Sequence, residues 1–233
     1  MFMPFVLFRT YPRVKSRQGI FGRETEATFG MEWSVKLPKG FESTGLGDLQ
    51  RGSYSNQSIH AGAAIVRGGW SSTTLPLHPH FVAGYKFSSG NPGRNPFRIS
   101  TYDQQYPGNH NAFGLVDLFG FQNMKQRRLS ITLTPHPGWT MMFQGESMHA
   151  ASRFDHAYSG SATVVAKAPA GGFARDGIGT GFDASMKHLL RTGLELQIGV
   201  GHFFPGYVMT HGGAASPLTL SYLQFTYRFK AIH

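Results

Sequence analysis

Polar and apolar residues alternate along much of this chain, the period-two pattern of strands whose faces meet different surroundings. From Glu24 to Leu37 the odd positions carry Ala27, Phe29, Met31, Trp33, Val35 and Leu37, while the even ones carry Glu24, Glu26, Thr28, Glu32, Ser34 and Lys36. Leu194, Leu196, Ile198 and Val200 alternate with Glu195, Gln197, Gly199 and Gly201. The pattern returns at Leu129 to Thr134, Trp139 to Glu146, Ile178 to Lys187 and Tyr222 to Phe229, and less cleanly at Gly47 to Tyr54, Ile59 to Trp70 and Phe81 to Ser88. Met3 to Arg9 is strand-like without a clear face. About ten strands are predicted.

The connections alternate too. Lys39-Gly40, Pro135 to Gly138 and Arg191 to Gly193 read as short turns, whereas Pro12 to Gly22, Ser89 to Gln126, Arg153 to Gly177 and Pro205 to Pro217 read as long loops rich in Gly, Asn, Pro and Ser. Short turns at one end, long loops at the other and aromatics near the strand ends are the signature of an outer-membrane β-barrel. The predicted fold class is therefore all-β, an antiparallel transmembrane β-barrel, with residues 1–233 as a single barrel domain. A soluble sandwich or lipocalin-like barrel also alternates. Its greasy face would have to be packed inward, though, and the Gly, Ser, Thr and charges on the other face suit a water-lined wall.

Composition sharpens this. Only 15% of the residues are charged, against 20 Phe, 9 Tyr and 3 Trp, as a lipid-facing surface requires. The absence of Cys excludes disulfides, thiolate metal sites and a Cys nucleophile. No window offers the roughly 20 apolar residues of a spanning helix. The N-terminus places its apolar block before its basic residues, the reverse of a secretory signal. The chain is accordingly expected to be the C-terminal part of a longer barrel, with the first strands and the export signal lying outside it.

The peptides Gly90-Asn91-Pro92, Ser100 to Pro107, Asn109 to Gly114 and Asp117 to Asn123 resemble the alginate export family of bacterial outer-membrane proteins. So do Leu49 to Tyr54, Phe182-Asp183-Ala184, Gly201 to Gly206 and Thr226 to Phe229. The resemblance runs from about Gly22 onward. It implies a bacterial outer-membrane barrel that passes an acidic polysaccharide through an electropositive pore, with lipid, lipopolysaccharide and the barrel-assembly machinery as partners. It also implies a larger barrel: roughly eight strands enclose a lumen filled by side chains, and roughly 16 to 18 leave an aqueous channel.

Strand phase puts Lys36, Lys86, Arg128, Lys187 and Arg228 on polar faces, with Arg67 and Arg9 joining them, alongside the acids Glu146, Asp183 and Glu195. These are the candidate lumen residues. Arg128 and Arg228 lead, because a guanidinium can hold both oxygens of a carboxylate. Cross-strand ion pairing that stiffens the wall is the competing role. Of the net +10 charge, most of the excess falls in connections, including Arg13, Lys15, Arg17, Arg94, Arg98, Lys125, Arg127, Arg153, Lys167 and Arg175, where outward loops would meet lipopolysaccharide phosphates. The loop Ser89 to Gln126 is long for a connection without structure of its own. Folded inward it would constrict the lumen, and its Tyr102, Asp103, Tyr106, His110 and Asn111 could bond sugar hydroxyls.

No cofactor or metal is expected: His78 and His80 lack a third ligand, and Gly177 to Gly181 is followed by Phe182 where a dinucleotide loop needs Gly or Ala. The basic residues form no nucleic-acid module, and no hydrolase motif is present, so an enzyme is not expected. The leading function is passive transport of an acidic saccharide or small anions. The alternative is a filled or non-conducting wall whose outer loops bind saccharide or lipopolysaccharide.

Overall fold

The computed structural model describes all residues except 17, 106–113, 214–215 and 230–233. Its strands are β1 (Phe2–Lys15), β2 (Phe21–Lys36), β3 (Phe41–Tyr54), β4 (Gln57–Ser71), β5 (His80–Ser88), β6 (Arg98–Ile99), β7 (Met124–Leu133), β8 (Trp139–Ala150), β9 (Ala157–Tyr158), β10 (Val164–Ala166), β11 (Gly177–Arg191), β12 (Leu194–Pro205) and β13 (Leu218–Tyr227). A short helix, α1 (Tyr207–Gly212), lies between the last two. Ten strands form one antiparallel meander in the order β1-β2-β3-β4-β5-β7-β8-β11-β12-β13. The sheet is open, with β1 and β13 at its edges. β6 pairs in parallel with the end of β4 that β5 does not reach.

The two faces are inverted relative to a soluble protein. Phe29, Leu49, Leu129, Phe182, Leu223 and Phe225 stand on the outer surface, Leu129 with 68% of its area exposed. Glu24, Glu26, Asp48, Gln50, Lys86, Gln126, Glu146 and Asp183 are buried on the other face. An apolar band outside and a polar wall inside is what strands need when lipid, not water, surrounds them. Trp33, Trp70 and Trp139 all lie near the short-turn end; Trp70 stacks on Phe81 and Trp139 on His188. Amphipathic rings concentrate at such a membrane–water boundary.

At the turn after β2, Gly40 has φ +82°, and a β-carbon there would lie 2.1 Å from the Ser71 carbonyl oxygen, so the turn requires glycine.

Three connections depart from the sequence reading. Pro12 to Gly22 is mostly strand: β1 runs to Lys15 and leaves a short link before Phe21. Pro12 is accommodated at a register shift between Tyr11 and Val14 on an edge strand, where a missing N–H is tolerated. Lys125 and Arg127 belong to β7, whose pairing with β5 begins at Met124, rather than to a loop. The long-loop end also contains a tight hairpin, because Tyr54 and Gln57 pair directly across the β3–β4 turn.

Candidate functional site

The site is the polar face of the sheet and the loop between β5 and β7 that lies against it. Across β4, β5, β7, β8 and β11, Arg67 faces Gly84, Gly84 faces Arg128, Arg128 faces Glu146 and Glu146 faces Gly181. One residue further along the same face of β5 and β7, Lys86 faces Gln126. Gly84 and Gly181 have no side chain, which leaves room for Arg67 beside the first and for Glu146 beside the second. Arg67, Lys86 and Arg128, with Val82, Gly84 and Ser130, line a cavity of about 190 Å³. Strand phase had named each of these three cations separately, and pairing brings them to one cavity.

The wall acids also accept from amides of the wall and the loop. Gln126 Nε2 donates to Glu146 at 2.6 Å, Gln144 Nε2 to Asp183 at 2.9 Å, and the backbone N–H of Leu115, in the loop, to Asp183 at 3.2 Å. Gly114 lies so close that a β-carbon there would sit 2.7 Å from Glu146 Oε1 and 3.0 Å from Asp183 Oδ2, and its φ of +77° also favours glycine. Asp183 thus docks the loop on one side of the wall, and Gly114 lets the backbone pass close over Glu146.

On the other side, the Tyr102 hydroxyl donates to Asp48 Oδ2 at 3.0 Å. The Asp103 N–H donates to Gln50 Oε1, and Gln50 Nε2 returns to the Asp103 carbonyl, both at 2.8 Å. Gln105 Nε2 donates to Glu26 at 2.5 Å. Arg9 ties Glu24 (2.6 Å), Glu26 (3.3 Å) and Asp103 together. Burial, followed by the neighbouring Asp48 carboxylate, raises the Tyr102 phenol above its ordinary range and keeps it a donor.

Residues 102–105 of the loop are thus tied to β1–β3 and Leu115 to β11 on the polar face. The loop is itself cross-braced. Asn91 N–H and Thr101 Oγ1 donate to buried Asp155 Oδ2 at 2.7 and 2.5 Å, and Asn123 Nδ2 reaches the carbonyls of Ser152 and His156. Beneath it Phe119 and Phe121 join Met148, Phe173, Phe203 and Met209 in a small apolar core, with Phe119 edge-on to Phe203 at 5.2 Å.

The remaining expected residues fall elsewhere. Tyr102 and Asp103 are engaged with the wall itself, so their polar groups act first as anchors of the loop. Tyr106, His110 and Asn111 lie outside the described residues. Lys187 sits 3.7 Å from Glu195 near the short-turn end, remote from the cationic cavity. Lys36, which faces Glu42, is exposed at that end. Arg228, a leading expectation from phase, lies one residue beyond the end of β13 and is exposed; only its backbone N–H, bonded to the Gly193 carbonyl at 2.7 Å, continues the sheet. The anchors Gln50, Asp48 and Gln105 were not singled out from sequence as partners, since no local pattern links residues more than fifty positions apart.

The chain's fold is similar to that of OccK11 (OpdR) of Pseudomonas aeruginosa, with a TM-score of 0.52 at 16% identity over 88% of this chain. The match covers 50% of that porin, so the chain spans about half its length. No curated protein sequence matches the chain. Residues 15–218 match the alginate export family model. An open antiparallel sheet with an apolar exterior, a polar concave face and an inward loop is thus joined to a family match over most of its length: the chain belongs to the alginate export family, whose fold is that of outer-membrane transport channels.

Proposed function

We propose that this sheet forms part of the wall of a bacterial outer-membrane channel that passes small anions or an acidic saccharide by passive diffusion. The observation that carries this reading is the convergence of Arg67, Lys86 and Arg128 on one cavity of the polar face, where Arg128 also stands opposite Glu146 and makes the local field mixed but dominated by cations. A carboxylate moving along this face meets guanidinium and ammonium groups that replace part of its hydration shell, and it must leave again, which a short cationic patch permits better than a continuous one. Closure of the barrel by strands beyond β1 and β13, or by a second copy, belongs to the same proposal.

The apolar core beneath the loop favours a second reading in which the resting wall is constricted and conducts only after the loop moves. Planar-bilayer recording under a salt gradient tests both. Anion-selective reversal potentials that shift toward zero in Arg67→Gln/Arg128→Gln support the first. Conductance that appears only when the loop anchors are removed supports the second, and cation selectivity in the native protein refutes the anion reading.

A further inference from the structure

The lipid-facing side carries its own charge pattern. Phase along the strands puts Arg23 on β2, Arg51 on β3, His60 on β4, Arg98 on β6, and Lys125 and Arg127 on β7 on the outer face, all near the long-loop end. Arg51 faces His60 and Ser58 faces Arg98, so neighbouring strands continue one belt. Below it the same face turns apolar, through Phe29, Leu49, Val66 and Leu129. Long loops face outward in barrels of this kind, which puts the belt at the headgroups of the outer leaflet.

Within the belt is a cleft of about 730 Å³ between the chain before β6 and the segment after β8. Its walls bring Arg94, Arg98, Lys125 and Arg153 together over Phe87 and Phe154. The acid that lines it, Asp176, accepts from Lys125 at 3.0 Å, and Lys125 and His149 hold it below the ordinary carboxylate range although burial works the other way.

The cleft is built rather than incidental. Ser152 Oγ donates to the Asn91 carbonyl at 2.8 Å and Asn91 N–H to Asp155 at 2.7 Å, lacing its two walls together. The guanidinium of Arg153 is fixed by the Ala174 carbonyl at 2.7 Å. Pairing of β6 with β4, and the Ser58 N–H bond to the Phe97 carbonyl at 2.8 Å, fix the backbone that carries Arg98.

We propose that this cleft binds the phosphorylated headgroup of an outer-leaflet lipid, lipopolysaccharide being the source, with phosphate on the Arg94, Arg98 and Arg153 side and the first part of an acyl chain on Phe87 and Phe154. An aqueous saccharide would approach the concave face or the loop tips; this cleft opens on the face that meets lipid. Arginine forks match phosphate oxygens pairwise, and an apolar floor beneath the cations suits an amphiphile. The proposal rests on the outer-membrane placement and not on conductance, so it stands or falls separately from the channel reading.

The test is native mass spectrometry of the full chain, folded in detergent, with diphosphoryl lipid A as probe. Arg94→Gln/Arg98→Gln/Arg153→Gln is compared with a control of equal charge loss at the opposite, short-turn end, Lys39→Gln/Arg191→Gln/Arg228→Gln, each checked for its folded strand signal by circular dichroism. The expected result is lipid A binding at least roughly tenfold weaker in the cleft variant, the scale of a single strong charge-assisted contact, and unchanged in the control. Lipid A with its phosphates removed should bind the native chain as weakly as the cleft variant binds the intact lipid. Equal binding by native and cleft variant, or by phosphorylated and dephosphorylated lipid, overturns the proposal. So does inorganic phosphate alone binding as tightly as lipid A, which makes the cleft a free-anion site.

Discussion

Replacing Tyr102 by phenylalanine removes a single oxygen from the contact between the inward loop and the wall. The ring keeps its edge-on packing against Phe121 at 5.6 Å, so volume and apolar contact are preserved. What is lost is the donor at 3.0 Å from Asp48 Oδ2, on a residue only 6% exposed, whose other oxygen, Oδ1, has no hydrogen-bond partner among the described residues. A buried carboxylate stripped of its donor costs about 1–3 kcal/mol. If that cost falls on the docked state of the loop, the undocked fraction rises by roughly 5- to 150-fold. Hydrogen–deuterium exchange of the folded protein measures this directly at residues 102–105, where the Asp103 N–H is protected by Gln50. Exchange there should accelerate by a factor in that range while the pairing of β11 with β12 keeps its protection. Unchanged exchange at Asp103 would refute the reasoning, since it would mean that the Tyr102–Asp48 bond contributes nothing to docking. Asp48→Asn, which retains an acceptor for the phenol, should have a smaller effect than Tyr102→Phe.

Gly114→Val should destabilise loop docking on the opposite side, both through backbone strain at positive φ and through collision with Glu146 and Asp183; faster exchange of the Leu115 N–H is the readout, and unchanged exchange would contradict it. Leu129→Arg puts a charge on the lipid face near mid-strand and should cost about 2–4 kcal/mol at the bilayer midplane, measured as a lowered urea midpoint in lipid vesicles. The reverse change on the other face, Arg128→Leu, removes a cation opposite Glu146 and should shift ion selectivity away from anions, read as the reversal potential under a salt gradient. Asp176 is held below the usual carboxylate range, so its ties to Lys125 and His149 are fully present above the unfolded pKa and are lost as pH falls through the lower folded one. Exchange in residues 151–176 should therefore quicken only in acid, and Asp176→Asn should remove that pH dependence.

The architecture was legible because period-two alternation is a local signal with a single physical origin, the two different solvents on either side of a sheet. Phase alone assigned Arg128, Lys86 and Arg67 to one face, and pairing brought them into one cavity. Phase does not report how far a strand extends. Pro12 in β1 read as a break because an edge strand tolerates a proline that an interior strand would not, and Lys125 and Arg127 read as loop because the outward positions before Leu129 carry charge where the alternation calls for apolar residues. Arg228 shares the phase of Gln224 and Thr226, yet the strand ends one residue before it. The loop anchors were invisible for a different reason: Gln50 with Asp103, Asp48 with Tyr102 and Leu115 with Asp183 join the wall to the loop lying against it, where contact follows from tertiary docking and not from spacing along the chain.

Because the chain contains no cysteine, single cysteines can be placed along β7 without background. Cysteine scanning from Gln126 to Ile131 in the protein folded into lipid vesicles tests the inverted sheet most directly, using a charged water-soluble thiol reagent and a bilayer-confined one. The account predicts alternation: cysteines at Arg128 and Ser130 react with the aqueous reagent, the one at fully buried Gln126 is shielded from both, and those at Leu129 and Ile131 react only with the bilayer-confined one. Aqueous labelling at Leu129 with none at Arg128 would contradict it.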